Sequence, residues 1–393
     1  MTVKLNDILA SWGAGRNTLL YGPPATGKTR LISELFQALK TPPESEQGIL
    51  LDPSDIETPL SRPMQEITIP KPAKVVWTTF HQSYGYEDFV LGLRPDITDE
   101  GTQLKPWAGV FLDAALELVD PSSEFESVVI FIDEINRGNA ARIFGEFMTF
   151  LDFDYREGGR VPIPLPLRQL TYKDGKSETI YRPDGKETNI PENFAFPRHV
   201  YIVSTMNSVD RAAVPVDSAL ARRFDRIEMR PNLDILVEHW GLDKDNIPVP
   251  NEENWESLSP FVTAYLVLDR LNVAIASDLG PEFELGHGLL TTILAVRTNE
   301  QGEKQSVEES DAWRQLAAVW DGVLFPQLED RYSGRPEPML DLLRIDTPPS
   351  TGDYAWKLRT SIGSAVAART LAAKRISELD LDVIKRSFRW LTR

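Results

Sequence analysis

A glycine-rich run near the amino terminus contains the residues with the clearest chemical potential. Residues 22–29 have the spacing G-x-x-x-x-G-K-T, in which glycines let backbone N–H groups surround a phosphate closely. The lysine can then reach the β- and γ-phosphates, and the threonine hydroxyl can bind Mg²⁺. An incidental glycine turn is the alternative, but a short apolar run before it and a helical pattern after it favour a phosphate loop. The predicted phosphate-binding residues are Gly22, Pro23, Pro24, Ala25, Thr26, Gly27, Lys28 and Thr29, and Thr29 is also a predicted metal ligand.

Two acids, Asp133 and Glu134, follow an unbroken apolar run at residues 128–132. Such a run is typical of a strand that is buried on both faces of a parallel sheet, and ligands bind beyond the carboxyl ends of these strands. We predict that Asp133 holds Mg²⁺ beside the nucleotide phosphates and that Glu134 orients an attacking water. A strand that ends in two solvated acids is the simpler alternative, and the upstream phosphate loop argues against it.

Polar residues after a third apolar run add further candidates. Residues 199–205 predict another buried strand, and Asn207 follows it, where its amide can hydrogen-bond a γ-phosphate or the water beside it. Farther along, Arg222 and Arg223 follow a short helical pattern. Adjacent arginines are often a solvated helix end, but their guanidinium groups also suit an arginine finger that reaches the phosphate of a neighbouring subunit.

The elements that position these residues follow an α/β order and then become helical. Strand and helix patterns alternate up to about residue 230, which predicts a parallel sheet between helices, and helical patterns follow. We predict a nucleotide-binding core at 1–230 and an α-helical domain at 231–393. Within the core, residues 155–190 contain two Asp-Gly turn signals and seven Lys and Arg residues against five acids, which predicts a β-hairpin insertion. It is either a surface hairpin or a positive lining for a pore.

Composition excludes several classes of function. The 393-residue chain has no cysteine, which excludes disulfides and thiolate metal sites, and its net charge of −17 argues against a broad DNA-binding face. The first residues form no signal peptide, and no apolar run has the length of a membrane span. We therefore expect a cytoplasmic protein with no membrane partner.

The order of these motifs resembles an AAA+ ATPase, and within that class the McrB family, the nucleotide-driven motor of modification-dependent restriction systems. The resemblance covers roughly residues 15–295. It is carried by several long motifs in the family's order, at residues 80–89, 92–95, 132–139, 144–146, 205–211 and 222–224.

The resemblance implies an AAA+ P-loop NTPase with an αβα core, a parallel sheet and a helical lid. It implies a homo-oligomeric ring, a hexamer, that binds ATP or GTP with Mg²⁺ between subunits. Asn207 would then be the sensor residue beside the γ-phosphate, Arg222 and Arg223 the trans-acting fingers, and His287 a lid residue near the nucleotide. It further implies a separate McrC-like or nuclease and effector subunit, with DNA reached through the complex.

One departure from the family keeps a second function open. The family's amino-terminal modified-DNA-binding domain and a nuclease motif have no counterpart in the sequence, so recognition and cleavage would come from another chain. The alternative is a MoxR-like chaperone or nucleotide-gated scaffold that remodels a protein partner with slow turnover. The loop recognises phosphates and does not separate the bases, so ATP is favoured over GTP only because most AAA+ relatives use ATP.

Overall fold

The computed structural model describes residues 5–40, 49–51, 67–69, 72–98, 101–156, 172–173, 176–177, 179–190, 194–209, 218–298, 302–350, 352–359, 370–371 and 375–393. The chain separates into two compact units. The first unit consists of Met1–Gly22 and Lys28–Met229, and the second of Pro23–Gly27 and Arg230–Arg393.

Strands and helices alternate along the first unit, and helices predominate in the second. The strands are β1 (Asn17–Gly22), β2 (Ile49–Leu51), β3 (Ile67–Ile69), β4 (Ala73–Thr79), β5 (Leu91–Thr98), β6 (Gly101–Ala108), β7 (Ser127–Asp133), β8 (Tyr172–Lys173), β9 (Lys176–Ser177), β10 (Thr179–Tyr181), β11 (Glu187–Asn189), β12 (Val200–Asn207), β13 (Phe224–Glu228), β14 (Val296–Thr298), β15 (Lys304–Ser306), β16 (Leu358–Arg359) and β17 (Thr370–Leu371). The α-helices are α1 (Leu5–Gly13), α2 (Lys28–Lys40), α3 (Tyr86–Phe89), α4 (Val110–Val119), α5 (Ala140–Phe144), α6 (Ser218–Ala221), α7 (Asp234–Trp240), α8 (Pro260–Asp278), α9 (Glu309–Val319), α10 (Phe325–Arg331), α11 (Pro336–Leu342) and α12 (Leu381–Leu391).

A five-stranded sheet in the order β13-β1-β12-β7-β4 forms the centre of the first unit, and its paired strands are all parallel. Alternate residues of β7 enter two different hydrophobic cores: Val128 and Ile130 pack on one face, and Val129 and Phe131 on the other. Successive side chains of a strand point to opposite faces, so a sheet covered on both sides needs apolar residues at every position. The predicted α/β fold with a parallel sheet is thus confirmed.

A second sheet, in the order β11-β10-β6-β5, carries part of the predicted insertion. The turn at Asp184 joins β10 and β11 as an antiparallel pair, in agreement with the predicted hairpin, whereas 157–171 lie outside the described residues. Arg182 in this hairpin is 1% exposed and pairs with Asp113 and Glu117 of α4. Arg156 is also buried, against backbone carbonyl groups. These two arginines therefore hold the fold together and cannot line a pore.

The ion cluster around Glu117 makes the stability of the first unit sensitive to acid. Burial by itself would raise the pKa of Glu117, but hydrogen bonds from its partners, Lys74 foremost, lower that pKa from 4.5 to about 2. The stabilisation is complete above the ordinary pKa and is lost as the pH falls toward the folded-state pKa. We expect the free energy of unfolding to fall between pH 4.5 and about 2.

Chemical unfolding at several pH values in this range tests the acid sensitivity. Glu117→Gln removes the titrating group and is expected to give a flatter pH dependence than the wild type. Glu124→Gln serves as the control, since Glu124 is exposed and close in the chain. Equal slopes for the wild type and Glu117→Gln would contradict the role of Glu117.

The second unit is mainly helical around one hydrophobic core. The longest helix, α8, begins with Ser259, whose side chain accepts a hydrogen bond from the Val262 N–H, and with proline in its first turn, as helix starts prefer. Its apolar face packs with the buried residues Trp313, Trp320 and Phe388 of the later helical segments. Among the described residues, no helix combines the length and apolarity that crossing a membrane requires.

The hydrophobic periodicity of residues 136–150 predicts one regular helix, and this prediction is wrong. The segment consists of a 3₁₀ turn at Ile135–Arg137, the short α5 and a 3₁₀ stretch at Gly145–Leu151. Gly145 has φ of +51°, and a Cβ there would lie 2.9 Å from the Tyr86 ring. A close ring contact and a left-handed glycine thus end the helix, and hydrophobic periodicity does not reveal either feature.

Candidate functional site

The carboxyl ends of neighbouring parallel strands bring three of the predicted residues to one edge of the central sheet. β1 ends at Gly22, which lies opposite Asn207 at the end of β12. β12 also pairs with β7, which ends at Asp133. Gly22 has φ of +149°, and a Cβ there would lie 2.3 Å from the carbonyl oxygen of Met229, so the position requires glycine. This edge is where ligands of parallel sheets bind.

Lys28 is the first residue of α2, and its side chain is buried at this edge. Its Nζ donates a hydrogen bond to the Gly22 carbonyl oxygen at 3.0 Å. Burial lowers the pKa of Lys28 from 10.5 to about 8, although the Glu134 and Asp133 carboxylates act in the opposite direction. The side chain is therefore still mainly charged at pH 7. A cation that has lost much of its water gains more from a nearby anion than an exposed cation does.

The hydroxyl group of Thr205 connects the two acids. It donates to Asp133 Oδ1 at 2.5 Å and accepts the N–H of Glu134 at 3.1 Å. Glu134 itself has φ of 55° and ψ of 50°, in the left-handed region, which costs a residue other than glycine on the order of 1–3 kcal/mol. One buried hydroxyl thus holds a carboxylate oxygen and the strained turn after it.

The Glu134 carboxylate is held at both of its oxygens. Asn207 Nδ2 donates to Oε1, and Arg137 Nε donates to Oε2 at 3.0 Å. Asn136 in turn donates from Nδ2 to the backbone oxygen of Asn207 at 3.2 Å. An ionised carboxylate has about four acceptor sites, so Glu134 can still accept a hydrogen bond from water. The geometry therefore brings two of the predicted catalytic residues, Glu134 and Asn207, into direct contact.

The residues predicted to hold Mg²⁺ fit that ion chemically. Thr29 offers an exposed hydroxyl at the start of α2, and the Asp133 carboxylate lies at the sheet edge. Hard oxygen ligands suit Mg²⁺, which usually has one or two protein ligands in addition to substrate phosphates and water. Among the described residues, no group of three or more His, Asp and Glu side chains could hold a metal ion by itself. A metal ion at this edge would therefore also need ligands from phosphate and water.

Removing the Thr205 hydroxyl tests whether it positions the acids. Thr205→Val keeps the shape of the side chain and is expected to lower the rate of nucleotide hydrolysis by about tenfold to a hundredfold. Losing the hydrogen-bond partner of a metal ligand usually has an effect of this size. The substitution is also expected to raise the Mg²⁺ concentration at half-maximal turnover, which a titration of Mg²⁺ measures. Thr205→Ser retains the hydroxyl and should stay close to the wild type. A Thr205→Val protein with unchanged metal dependence would reduce Thr205 to a packing role.

The remaining loop residues, 23–27, form a compact turn in the second unit. The Thr26 hydroxyl donates to the Pro23 carbonyl oxygen at 3.0 Å. Ala25 has φ of +60°, Gly27 has φ of +89°, and the Ala25 carbonyl oxygen accepts the Gly288 N–H at 2.9 Å. Left-handed residues within a loop turn its backbone N–H groups, and such turns are typical of loops that bind an anion.

The two arginines of the predicted finger have different surroundings. Arg223 donates from Nε to Asp152 at 2.9 Å and from a terminal nitrogen to the Ala219 carbonyl oxygen at 2.7 Å. Arg222 is exposed, and within the described ranges its side chain has no ion pair or hydrogen bond. Both roles stay predictions, and the geometry favours Arg222 as the group that can reach outward.

His287 lies in a 3₁₀ turn of the second unit and is 4% exposed. Its Nδ1 accepts the backbone N–H of Asn232 at 3.1 Å, which assigns the ring proton of the neutral side chain to Nε2. A Cβ on Gly27 would lie 3.9 Å from this Nε2. The predicted position of His287 near the phosphate loop therefore has a physical basis, and its contact with nucleotide stays a prediction.

Three parts of the site were not predicted from the sequence. They are the Thr205 hydroxyl, the Arg137 side chain and the glycine at 288. Thr205 and Arg137 stand inside the motifs already noted, so their polar character next to Asn207 and Glu134 was a usable signal. For Gly288 the signal was its neighbour His287, which the resemblance placed near the nucleotide, but the backbone contact of Gly288 with Ala25 was not predicted.

Comparison with known proteins defines the class to which this fold and site belong. Residues 58–224 match the family model described as AAA domain (dynein-related subfamily). A parallel α/β sheet with a phosphate loop, an acidic strand end and a helical carboxyl-terminal region agrees with that match. Residues 58–224 are therefore similar to an AAA domain.

Two relatives from restriction systems narrow the class. The type IV methyl-directed restriction enzyme EcoKMcrB subunit of Escherichia coli strain K12 is 32% identical over 232 residues, which are 58% of this chain and 39% of that protein. The type II restriction enzyme BsuMI component YdiS of Bacillus subtilis strain 168 is 23% identical over 241 residues, 54% of this chain and 57% of its own length. The predicted resemblance to the McrB family is thus confirmed.

The matches cover only part of each relative. The chain spans 39% and 57% of the lengths of the two relatives, so much of each relative has no counterpart in the comparison. A solved structure from Cytophaga hutchinsonii aligns over 84% of this chain and 79% of its own at 13% identity, but its TM-score of 0.28 is too low to support an argument.

Proposed function

We propose that this protein hydrolyses nucleoside triphosphates and acts as the motor of a McrB-like DNA restriction or antiphage system. The observation that carries the proposal is the contact of Glu134 with Asn207, beside Asp133 and the buried cation of Lys28. An oriented base, a metal-binding carboxylate and a cation for phosphate are the groups that phosphoryl transfer to water requires. The absence of cysteine from the sequence suits a cytoplasmic location.

Each side chain has a defined task in this proposal. Lys28 neutralises phosphate charge, and the loop with left-handed residues at Ala25 and Gly27 directs N–H groups toward the phosphates. Glu134 accepts a hydrogen bond from the attacking water and orients it in line with the bond that breaks. Asn207 keeps the Glu134 carboxylate in place. When it is bound, Mg²⁺ neutralises charge on the phosphate oxygens, with Thr29 and Asp133 as its protein ligands.

The proposed assembly is a homo-oligomeric ring, a hexamer, with the nucleotide between subunits. The exposed Arg222 supports it, because a free guanidinium group can stabilise transition-state charge at a neighbour's phosphate. The two relatives are a subunit and a component of restriction enzymes, which supports a separate McrC-like or nuclease partner and DNA reached through the complex. His287 is proposed as a further nucleotide contact.

Steady-state phosphate release with ATP and with GTP tests the proposed function. We expect Mg²⁺-dependent release, with ATP preferred over GTP, from purified protein and none above background from a Lys28→Ala variant. Preference for GTP would keep the hydrolase and reverse the nucleotide assignment. No release with either nucleotide, with or without DNA, would overturn the proposal as stated.

A second function is favoured by the way in which Glu134 is held. Both carboxylate oxygens accept hydrogen bonds from the protein, which suits a site that binds nucleotide well and turns over slowly. The alternative is thus a MoxR-like chaperone or nucleotide-gated scaffold that remodels a protein partner. Turnover that DNA leaves unchanged and a protein partner stimulates would favour this function over the DNA-restriction motor.

A further inference from the structure

Residues 285–288, a segment of the second unit, contact the turn of the phosphate loop. The Gly288 N–H donates to the Ala25 carbonyl oxygen at 2.9 Å. Gly286 lies against the same turn, where an added Cβ would be 2.2 Å from the Pro24 carbonyl oxygen and 2.3 Å from that of Ala25. The loop residues and this segment belong to the same compact unit. The backbones are thus in contact at places where no side chain would fit.

We propose that Gly286 and Gly288 are positioning residues for nucleotide binding. They hold Ala25 in its left-handed conformation, and the loop N–H groups stay directed toward a phosphate as a result. The inference rests on the proposed function and deepens it: two glycines of the second unit would determine the shape of the loop that binds the phosphates.

The supporting segment is itself firmly attached to the second unit. Asn272 of α8 exchanges two hydrogen bonds with the backbone of Leu285, at 2.9 Å and 2.7 Å. Arg331 of α10 donates to the Phe283 carbonyl oxygen at 2.7 Å. Leu285 is fully buried. A clash at Gly286 would therefore displace the loop more readily than the segment, since the segment is bonded to two helices.

The environment of Gly286 allows no easy relief of such a clash. The three atoms nearest to an added Cβ are backbone atoms of Pro24 and Ala25, all within 2.4 Å. Real Cβ atoms essentially never come closer than 3.0 Å to other heavy atoms. No side-chain rotation can restore that distance, so the backbone turn at Ala25 has to shift. At Gly288 the nearest atom is a single carbonyl oxygen, at 2.9 Å, and the shift required there is smaller.

Titration with a fluorescent ATP analogue in EDTA tests the inference without relying on hydrolysis. We expect Gly286→Ala to weaken binding by about tenfold or more and Gly288→Ala by about threefold to tenfold. Gly322→Ala is the matched control, because a Cβ there meets nothing within 4 Å, and its affinity should equal that of the wild type. Hydrogen exchange of the peptide covering residues 21–30, measured without nucleotide, is expected to be faster in Gly286→Ala, to a smaller extent in Gly288→Ala, and unchanged in Gly322→Ala.

Near-UV circular dichroism of the buried tryptophans Trp313 and Trp320 reports whether each variant retains its fold. Folded Gly286→Ala with wild-type affinity and wild-type exchange would overturn the inference. If Gly286→Ala does not fold, Gly288→Ala decides in its place, and wild-type affinity in that variant overturns the inference. If the wild type binds neither ATP nor GTP, the proposed function fails and the inference fails with it.

Discussion

Glutamine in place of Glu134 is expected to lower kcat for nucleotide hydrolysis by about a hundredfold or more, because an amide cannot take the role of a base for the attacking water. Nucleotide affinity should change little, since Lys28 and the loop stay intact. The amide oxygen can still accept from Asn207 or Arg137, which now share one acceptor instead of two. Single-turnover phosphate release gives the rate, and titration with a fluorescent analogue gives the affinity.

Two outcomes would contradict the role of Glu134. Hydrolysis at the wild-type rate would remove it from the reaction, and loss of binding would make it a structural residue. Glu124→Gln is the control for the chemical change itself, because Glu124 is exposed. A Glu134→Gln protein that binds nucleotide and does not release phosphate would also trap the bound state needed for assembly measurements.

The central sheet and its acids could be predicted because burial leaves few choices for such a sequence. A five-residue apolar run such as 128–132 has no solvent face, so it fits the middle of a covered parallel sheet. Asp133 then has to lie at the carboxyl end of its strand. The strand before residues 22–29 and the helix at their end could be predicted as well, because the phosphate-loop pattern requires both.

The parts that could not be predicted depend on residues that are distant in the sequence. The Thr205 hydroxyl gains its role only when β12 lies beside β7, and within its own strand it is one more β-branched residue. Gly286 gains its role from the backbone of Pro24 and Ala25. Local periodicity carries no information about such contacts, and it also failed where the contact between Gly145 and Tyr86 ends a helix.

Arg222 and Arg223 are expected to have different roles, because Arg222 is exposed and Arg223 is bound to Asp152. The sequence alone did not distinguish the two. Arg222→Ala is expected to lower kcat by about a thousandfold, the usual effect of losing an arginine finger, without changing the free energy of unfolding. Arg223→Ala removes the ion pair with Asp152 and is expected to destabilise the first unit by about 2 kcal/mol. Phosphate release and chemical unfolding of both variants provide the comparison. Equal loss of kcat in two equally stable variants would contradict this division.

Mixing two inactive variants tests whether Arg222 acts on a neighbouring subunit. A subunit with Arg222→Ala keeps its own Glu134, and a subunit with Glu134→Gln keeps the arginine that its neighbour requires. In a mixed ring, about a quarter of the interfaces combine an intact Glu134 with an intact Arg222, because each interface pairs different surfaces of two subunits. We therefore expect equimolar mixing to restore a substantial fraction of turnover. An arginine that acts within its own subunit would restore none, because every site would then lack one of the two groups.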